Sequence, residues 1–305
     1  MTTTRPATAD ETDNWSAGWQ ARLHSGLGSH PLPSGAVNQH VQRRLQQLSS
    51  ASERAIECLV DERGTAVGVV VMTMPGRADG NAYLLDIWVE PEHRRRGHGR
   101  AALAWAGSWA VKHGGRPAFG IDPSDPAQVA LLGDFPVRAR QMVKAVAEPI
   151  ELPPGVVGRP MTDAEFTGWR AEQVEAYAVE KAEAGLGTIE ESRAQSAAEF
   201  DELLPGGVAT AGHALRCVEV GGEVVGTVWI GHGYAPEMSW VYGVEVAEAH
   251  RGRGYGRAAM LLGEQTTLEG GNSWLGLNVF GPNERALSLY RSLSYDVFEE
   301  RRAAD

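Results

Sequence analysis

The sequence predicts an α/β protein made of two tandem copies of one domain, each a mixed, mostly antiparallel sheet flanked by helices. Segments with strand and helix patterns alternate along the chain, with a hairpin first and a crossover later. One pattern of two apolar alternating runs, a gap and an Arg/Gly-rich turn also occurs twice. It reads GVVVMTMPGRADGNAYLLDIWVEPEHRRRGHGRAAL from Gly68 and GTVWIGHGYAPEMSWVYGVEVAEAHRGRGYGRAAM from Gly226.

The two copies also begin alike. Arg5-Pro6-Ala7-Thr8 leads to Trp15, and Arg159-Pro160-Met161-Thr162 leads to Trp169. The period of about 155 residues is far too long for a solenoid repeat, so each copy is a whole domain. The Pro- and Gly-rich segment EPIELPPGVVG reads as a linker, which predicts one domain over residues 1–150 and a second over residues 151–305.

Local patterns predict the elements of the C-terminal copy. Gly221-Gly222 is a strong hairpin turn signal, Thr162 or Asp163 is suited to cap a helix, and Gly185 is suited to end it. The predicted strands are 156–159, 215–220, 224–230, 239–246 and 274–280, and the predicted helices are 163–184, 191–204, 256–269 and 283–293.

Composition excludes several classes of function. The chain has 305 residues, 43% of them hydrophobic, and a formal net charge of -11, which argues against a nucleic-acid partner and is compatible with an amine substrate. The first thirty residues contain no apolar leader, and no apolar run of ~18 residues occurs, so we expect a cytoplasmic protein without a membrane partner. Cys58 and Cys217 are expected to be buried thiols, and no Cys/His spacing indicates a metal site.

The Arg/Gly-rich turns are candidate phosphate sites, because each lies between an apolar strand and an apolar helix. Glycines there let the backbone approach a ligand, and the N–H groups and dipole of a helix N-terminus attract anions. Arginines add charge and donors. The turns read Arg251-Gly252-Arg253-Gly254-Tyr255-Gly256 and Arg94-Arg95-Arg96-Gly97-His98-Gly99.

A dinucleotide site is the alternative, since residues 254–259 and 97–102 both fit G-x-G-x-x-A. Here, however, a basic stretch separates the strand from the first glycine. The predicted strand 274–280 also lacks the acidic residue that should end the next strand, although Asp122 could serve in the N-terminal copy. These differences weigh against the dinucleotide reading, less so in the N-terminal copy.

The chain resembles the GNAT superfamily of N-acetyltransferases over essentially its whole length, twice. The family signature [Arg/Gln]-x-x-Gly-x-[Gly/Ala] is matched by Arg251, Gly254 and Gly256 and by Arg94, Gly97 and Gly99. A second signature is an Asn, an Ala and a Tyr on the next helix, followed by an aromatic strand start. It is matched by Asn283, Ala286, Tyr290 and Tyr295.

The resemblance implies acetyl-CoA as the donor, with its pyrophosphate on the N–H groups of the turn 251–256. Its pantetheine would pair like an added strand with Val244 and Val246 and would accept or donate a hydrogen bond at Asn283. Val89 and the turn 94–99 hold the corresponding places in the N-terminal copy. First helices line the acceptor pocket in many members of the family, and here they carry Trp15, Trp19, Trp169 and Tyr177.

Acetyl transfer assigns roles to a few side chains. Tyr290 is the candidate general acid that protonates the departing sulfur, and the N–H groups near Val246 are candidate oxyanion donors. Glu245 is the leading candidate base, because strand alternation puts it on the opposite face from its two valine neighbours. His232 and Glu237 remain alternatives to it.

The two copies differ in the second signature. Ser124 stands where Asn283 does and Leu131 where Tyr290 does, so the N-terminal copy is expected to be non-catalytic. Few residues follow Tyr295, so the last strand of the second copy is missing, shortened or supplied by the other copy. The expected function is acetyl transfer to a primary amine of a small molecule. A protein or peptide acceptor, or a CoA-binding regulatory protein without turnover, is the alternative, and the oligomeric state is open.

Overall fold

The computed structural model describes residues 2–75, 80–183, 188–281 and 283–304. Within these residues the chain forms twelve strands and eight α-helices, in the order β1 Thr3–Pro6, α1 Ala9–Leu27, α2 Ser34–Ser49, β2 Glu53–Val60, β3 Ala66–Met74, β4 Asn81–Val89, α3 His98–Lys112, β5 Arg116–Ile121, α4 Pro126–Leu132, β6 Val137–Ala145, β7 Val156–Pro160, α5 Asp163–Glu183, α6 Ile189–Leu203, β8 His213–Val220, β9 Glu223–Ala235, β10 Met238–Val246, α7 Tyr255–Glu269, β11 Trp274–Phe280, α8 Glu284–Ser292 and β12 Asp296–Ala303.

The chain divides into two compact units. The N-terminal unit consists of Met1–His30, Val37–Gln141 and Val297–Asp305, and the C-terminal unit of Pro31–Ala36 and Met142–Asp296. The predicted mixed α/β class of two repeated domains is confirmed, since each unit has a sheet with both strand orientations and helices packed on it. The predicted boundary between the copies at residues 150 and 151 stays a prediction.

Each unit completes its sheet with a strand from outside its own repeat. In the N-terminal unit the strand order is β1-β2-β3-β4-β5-β12-β6, and β12 pairs antiparallel with β5. In the C-terminal unit the end of β6 lies beside β11, followed by β10-β9-β8-β7. Of the three alternatives for the last strand, the exchange between copies is therefore the correct one.

The elements predicted for the C-terminal copy are confirmed with small shifts of their ends. β9 is longer than predicted and continues to Ala235, and the hairpin turn is at Gly221 and Gly222. Asn283 is the cap of α8 rather than its first residue. The predicted helix end at Ala184 and Gly185 lies outside the described residues.

Both units start with the same capping device. The Thr8 hydroxyl accepts from Glu11 N–H, Glu11 accepts from Thr8 N–H, and Arg5 pairs with Glu11 at 2.6 Å. Thr162, Glu165 and Arg159 repeat this arrangement, with an ion pair of 2.7 Å. Thr162 is thus the cap, and a reciprocal capping box fixes the start of the first helix in both copies.

Each unit has its own apolar core. Trp15 and Trp19 are buried against β3 in the N-terminal unit, and Trp169 is buried with Phe200 and Trp229 in the C-terminal unit. Cys58 and Cys217 are buried free thiols, as predicted. Over the described ranges, no helix is both long and apolar enough to cross a membrane, and no group of three or more His, Cys, Asp or Glu side chains is placed to hold a metal ion.

Candidate active site

The site in the C-terminal unit is built where two parallel strands separate. β10 pairs with β11 only from Met238 to Val241, opposite Trp274 to Leu277. The rest of β10 continues along β9 as far as Val246, without β11 at its side. A gap therefore opens between the carboxyl ends of β10 and β11. β4 and β5 of the N-terminal unit separate in the same way after Tyr83.

The backbone of Val244 and Val246 faces this gap. Glu245 turns its carbonyl oxygen toward Gly226 of β9, so closely that a Cβ at Gly226 would lie 2.5 Å from it. Ala247 N–H likewise donates to Val225 of β9 at 3.1 Å. Because neighbouring residues of a strand point their backbone groups to opposite sides, the polar groups of Val244 and Val246 point away from β9. An extended ligand chain in the gap can pair with them.

The two Arg/Gly-rich turns share one backbone conformation. Gly254 and Gly97 precede α7 and α3 with φ of 85 and 90°, in the left-handed region that glycine tolerates best. One residue after the first arginine, Gly252 has φ 80° and Arg95 has φ 62°. The N-terminal unit thus keeps the same turn even with an arginine at the strained position.

The first arginine of each turn supports the turn itself. Arg251 Nε donates to the carbonyl oxygen of Val246 at 3.2 Å, and Arg94 Nε donates to that of Val89 at 2.9 Å. Both side chains thus tie the turn to the last residue of the preceding strand. Arg253, Arg95 and Arg96 are exposed, Tyr255 is half-buried, and His98 is buried with its Nδ1 2.8 Å from the Thr2 hydroxyl.

Tyr290 lies on the α7 side of the sheet. It belongs to α8, whose Leu289 would touch a Cβ at Gly256, the second residue of α7. Burial raises the pKa of Tyr290 to about 12, so its phenol keeps its proton at neutral pH. Asn283 caps α8 by accepting from the N–H of Ala286 at 3.0 Å, so its amide nitrogen is the group left to donate to a ligand.

Glu245 lies on the other side of the sheet, as strand alternation predicted. Gln173 of α5 donates a hydrogen bond to its carboxylate, whereas Val246 would contact a Cβ at Gly256 of α7. The alternative bases are elsewhere. Glu237 is in the turn at the opposite end of β10, about 26 Å away along the strand. His232 lies near that end of β10 as well. Its Nδ1 is 3.0 Å from the Ser239 hydroxyl, and its ring packs against Gly270 at the end of α7.

The N-terminal unit differs on the face of the sheet that carries Glu245 in the C-terminal unit. Aligned at the first arginine of each turn, the strands have Trp88 where the C-terminal unit has Glu245 and Asp86 where it has Gly243. Asp86 is half-buried and accepts from Arg22 at 2.7 Å and from Trp15 Nε1 at 2.8 Å. Burial raises the pKa of Asp86, and Arg22 opposes that shift.

Two guanidinium groups lie over the Trp88 ring, that of Arg22 at 3.9 Å and that of Arg94 at 4.6 Å from its centroid. Trp15, Arg22 and Trp88 line the adjoining cleft of about 340 Å³. Sequence reasoning missed this cluster, although an alignment of the two copies shows Trp and Asp where the C-terminal copy has Glu and Gly.

The structure shifts the residue-by-residue alignment of α4, in the N-terminal unit, with α8, in the C-terminal unit, by one residue. Asp125 caps α4 as Asn283 caps α8, so Asp125 and not Ser124 is its counterpart. Leu131 would touch a Cβ at Gly99 just as Leu289 would at Gly256. The counterpart of Tyr290 is therefore Leu132 rather than Leu131. The N-terminal unit has no phenol at this position in either matching.

Comparisons with known proteins agree with this geometry. The chain matches the acetyltransferase (GNAT) family model twice, at residues 29–132 and 175–295. An uncharacterized N-acetyltransferase, YycN of Bacillus subtilis (strain 168), is 30% identical over 140 residues, which cover 45% of this chain and 89% of the relative. A mycothiol acetyltransferase of Gordonia bronchialis is 28% identical over 289 residues, 88% of this chain and 90% of the relative. A GCN5-related N-acetyltransferase from Sphaerobacter thermophilus shares the fold, with a TM-score of 0.54, 19% identity and coverage of 99% and 95%.

Proposed function

The chain belongs to the acetyltransferase (GNAT) family and is an N-acetyltransferase, and from this premise we propose that its C-terminal unit transfers the acetyl group of acetyl-CoA directly to a primary amine of a small molecule. The observation that carries the proposal is the gap between β10 and β11. The backbone groups of Val244 and Val246, the N-terminus of α7 and helix α8 with its Tyr290 phenol lie together at this gap.

The residues around the gap fit acetyl-CoA. Among the described residues, and apart from the two chain neighbours of each glycine, no atom lies within 4 Å of a Cβ built on Gly252 or Gly254, so a pyrophosphate has access to the backbone of the turn. The first N–H groups of α7 have no partner within the helix and can donate to it. Val244 and Val246 would bind the pantetheine, and the amide nitrogen of Asn283 would donate to it. Bound acetyl-CoA would supply an activated thioester.

The two faces of the sheet divide the chemistry. Tyr290 on the α7 side is assigned as the general acid: its raised pKa keeps the phenol protonated, so that it can donate a hydrogen bond to the departing sulfur as negative charge develops there. Glu245 on the α5 side is assigned as the base, which accepts the amine proton directly or through a water. Gln173 fixes one of its oxygens. The fixed N–H of Val246 is assigned to the negative charge that develops on the carbonyl oxygen.

The N-terminal unit is proposed to be non-catalytic. It has Leu132 in place of the phenol and Trp88 in place of the carboxylate. Its turn, with Val89, Arg94, Arg95, Arg96, Gly97, His98 and Gly99, keeps the conformation of the catalytic turn. A donor-binding role for this turn stays a proposal.

The acceptor is assigned to the small-molecule class because several relatives are named for a small molecule, mycothiol. Release of free thiol from acetyl-CoA, measured with small primary amines, mycothiol and its deacetylated form, and a peptide with a free N-terminus, tests this. We expect turnover with a small amine. Turnover with the peptide alone would support the protein acceptor, and binding without turnover would support a regulatory role.

A thermal-shift measurement tests the donor separately. A ligand at 100 times its dissociation constant stabilises the folded protein by about 2.7 kcal/mol, so acetyl-CoA should raise the melting temperature. NADH is the control ligand. Stabilisation by NADH and none by acetyl-CoA would favour the dinucleotide alternative.

A further inference from the structure

A β-bulge in β10 places Tyr242 on the α5 face, next to the proposed site of acetyl transfer. Val241 pairs with Ile230 of β9 and Gly243 pairs with Trp229, so Tyr242 is the extra residue between them. A Cβ on Gly231 would collide with the Tyr242 ring, which shows that the ring lies over the bare backbone of that glycine. Bulges of this kind re-aim side chains and are common next to active sites.

The Tyr242 ring has a rigid aromatic support. It stacks on Trp229 with a centroid distance of 4.9 Å and an interplanar angle of 25°. Trp229 is itself buried against Phe200 at 5.4 Å and Trp169 at 5.8 Å. Despite this packing, 40% of Tyr242 is exposed. The His213 ring also lies 5.5 Å from it. The ring is therefore held in place while part of it is exposed.

His213 fixes the support further. Trp229 Nε1 donates to His213 Nδ1 at 2.9 Å, so the proton of the neutral imidazole is on Nε2. Burial, and then the charge of His232, lower the pKa of His213, which favours this neutral form. Trp229 is thus held through both its ring and its N–H. We call the stacked rings of Tyr242 and Trp229 the aromatic platform. Because these rings are already ordered, they lose little conformational entropy when a ligand packs on them.

The platform and Glu245 belong to one surface. Glu245 follows Tyr242 by three residues, about 10 Å along the strand. Gly243 between them has no side chain, and the nearest atom to a Cβ there is Gln173 Oε1 at 3.6 Å. In the N-terminal unit, Leu85 occupies the bulge and packs into the core beside Trp15. The exposed ring next to an open backbone is thus a feature of the catalytic copy.

We propose that Tyr242 selects acceptor amines that carry an aromatic ring, which packs against the exposed part of the Tyr242 ring while the amine reaches toward Glu245. This rests on the proposed acetyl transfer in the C-terminal unit. Offset stacking adds attraction beyond the buried area. Gln173 and Glu245, two polar side chains beside the platform, are already bonded to each other, and the partly exposed Tyr242 ring adds apolar surface there.

The test compares phenylalkylamines, from benzylamine to 4-phenylbutylamine, with cyclohexylalkylamines of equal tether length. The wild-type enzyme should prefer the phenyl series by kcat/KM. Tyr242→Leu should reduce the phenyl-to-cyclohexyl ratio by about 2- to 12-fold, the range expected for one aromatic pair, and mainly through KM. Tyr242→Phe should keep the ratio. Tyr234→Leu is the matched control, because Tyr234 also stacks on a tryptophan, Trp240, at 4.2 Å.

Two outcomes would overturn the proposal. One is an unchanged ratio in Tyr242→Leu, and the other is an equal fall in Tyr234→Leu. If the wild-type protein acetylates no amine, the proposed function fails on its own. Calorimetric binding of 4-phenylbutylamine then decides the subsite, since the proposal requires weaker binding by Tyr242→Leu than by the wild type and Tyr242→Phe. Equal binding by all three rejects it. Melting temperatures identify any variant that does not fold.

Discussion

Replacing Tyr290 by Phe removes one hydroxyl group from the proposed site and keeps the ring. The Tyr290 ring is 6% exposed and meets Tyr295 edge-on at 6.0 Å, a contact that Phe can also make. Burial raises the pKa of Tyr290 to about 12, whereas a free thiol titrates near 8.5. The phenol is thus a weaker acid than the thiol, and its contribution is a hydrogen bond to the sulfur as negative charge develops there.

From this we expect kcat to fall about 10- to 1,000-fold, equivalent to about 1.4 to 4 kcal/mol of barrier, with an unchanged acetyl-CoA dissociation constant. Steady-state thiol release and calorimetry measure the two quantities. The wild-type kcat should show no decline from ionisation of Tyr290 between pH 8 and about 10, since its pKa is about 12. Tyr295→Phe, which removes a neighbouring buried hydroxyl, is the control. A kcat within twofold of wild type in Tyr290→Phe, or an equal loss in both variants, would refute the assignment.

Three further predictions concern the turns and the buried charges. Gly254→Val should abolish donor binding by the C-terminal unit in calorimetry, because Gly254 has φ 85°, whereas Gly97→Val should leave the dissociation constant of that site unchanged. Arg22→Ala should lower the free energy of unfolding in urea by about 1.5 to 3 kcal/mol by removing a charged hydrogen bond to half-buried Asp86, and adding Asp86→Asn should restore part of the loss. Glu299→Gln should lower the melting temperature at pH 7 and much less at low pH. Burial alone would raise the pKa of Glu299, but Arg44 and His40 hold this pKa well below its usual range in the folded protein. The ionised Glu299 side chain therefore stabilises the fold fully above the pKa that Glu299 has in the unfolded state. This stabilisation is lost as the pH falls through the pKa of Glu299 in the folded state.

Local signals were sufficient for most of the C-terminal copy. The Gly221-Gly222 turn, the apolar alternation of β8 to β10 and the Thr162 cap are encoded within a few residues, and the structure has each of them. The side of the sheet on which Glu245 lies followed from a period of two. These features depend on backbone geometry and nearest neighbours, which is the information that a short stretch of sequence contains.

Features that depend on distant partners could not be predicted in this way. Nothing local to β12 specifies β5 as its neighbour, because Arg301 pairs in register with Gly120 far earlier in the chain. The bulge at Tyr242 depends on how β9 and β10 match in length and twist. The cluster of Arg22, Asp86 and Trp88 joins a helix to a strand across the sheet face, and only an alignment of the two copies points to it.

The two copies differ on the face of the sheet where the acceptor is proposed to bind, and much less at the turn. Arg95 keeps the left-handed backbone of Gly252, although a side chain there costs about 1 to 2 kcal/mol. A turn maintained against that strain indicates that its conformation matters in the N-terminal unit too. On the other face, Asp86 takes the place of Gly243, and the guanidinium of Arg22 and the N–H of Trp15 compensate the cost of half-burying its carboxylate. Trp88 also takes the place of Glu245, and its ring lies against the guanidinium of Arg22. Together, Asp86 and Trp88 occupy in the N-terminal unit the face on which the acceptor is proposed to bind in the C-terminal unit.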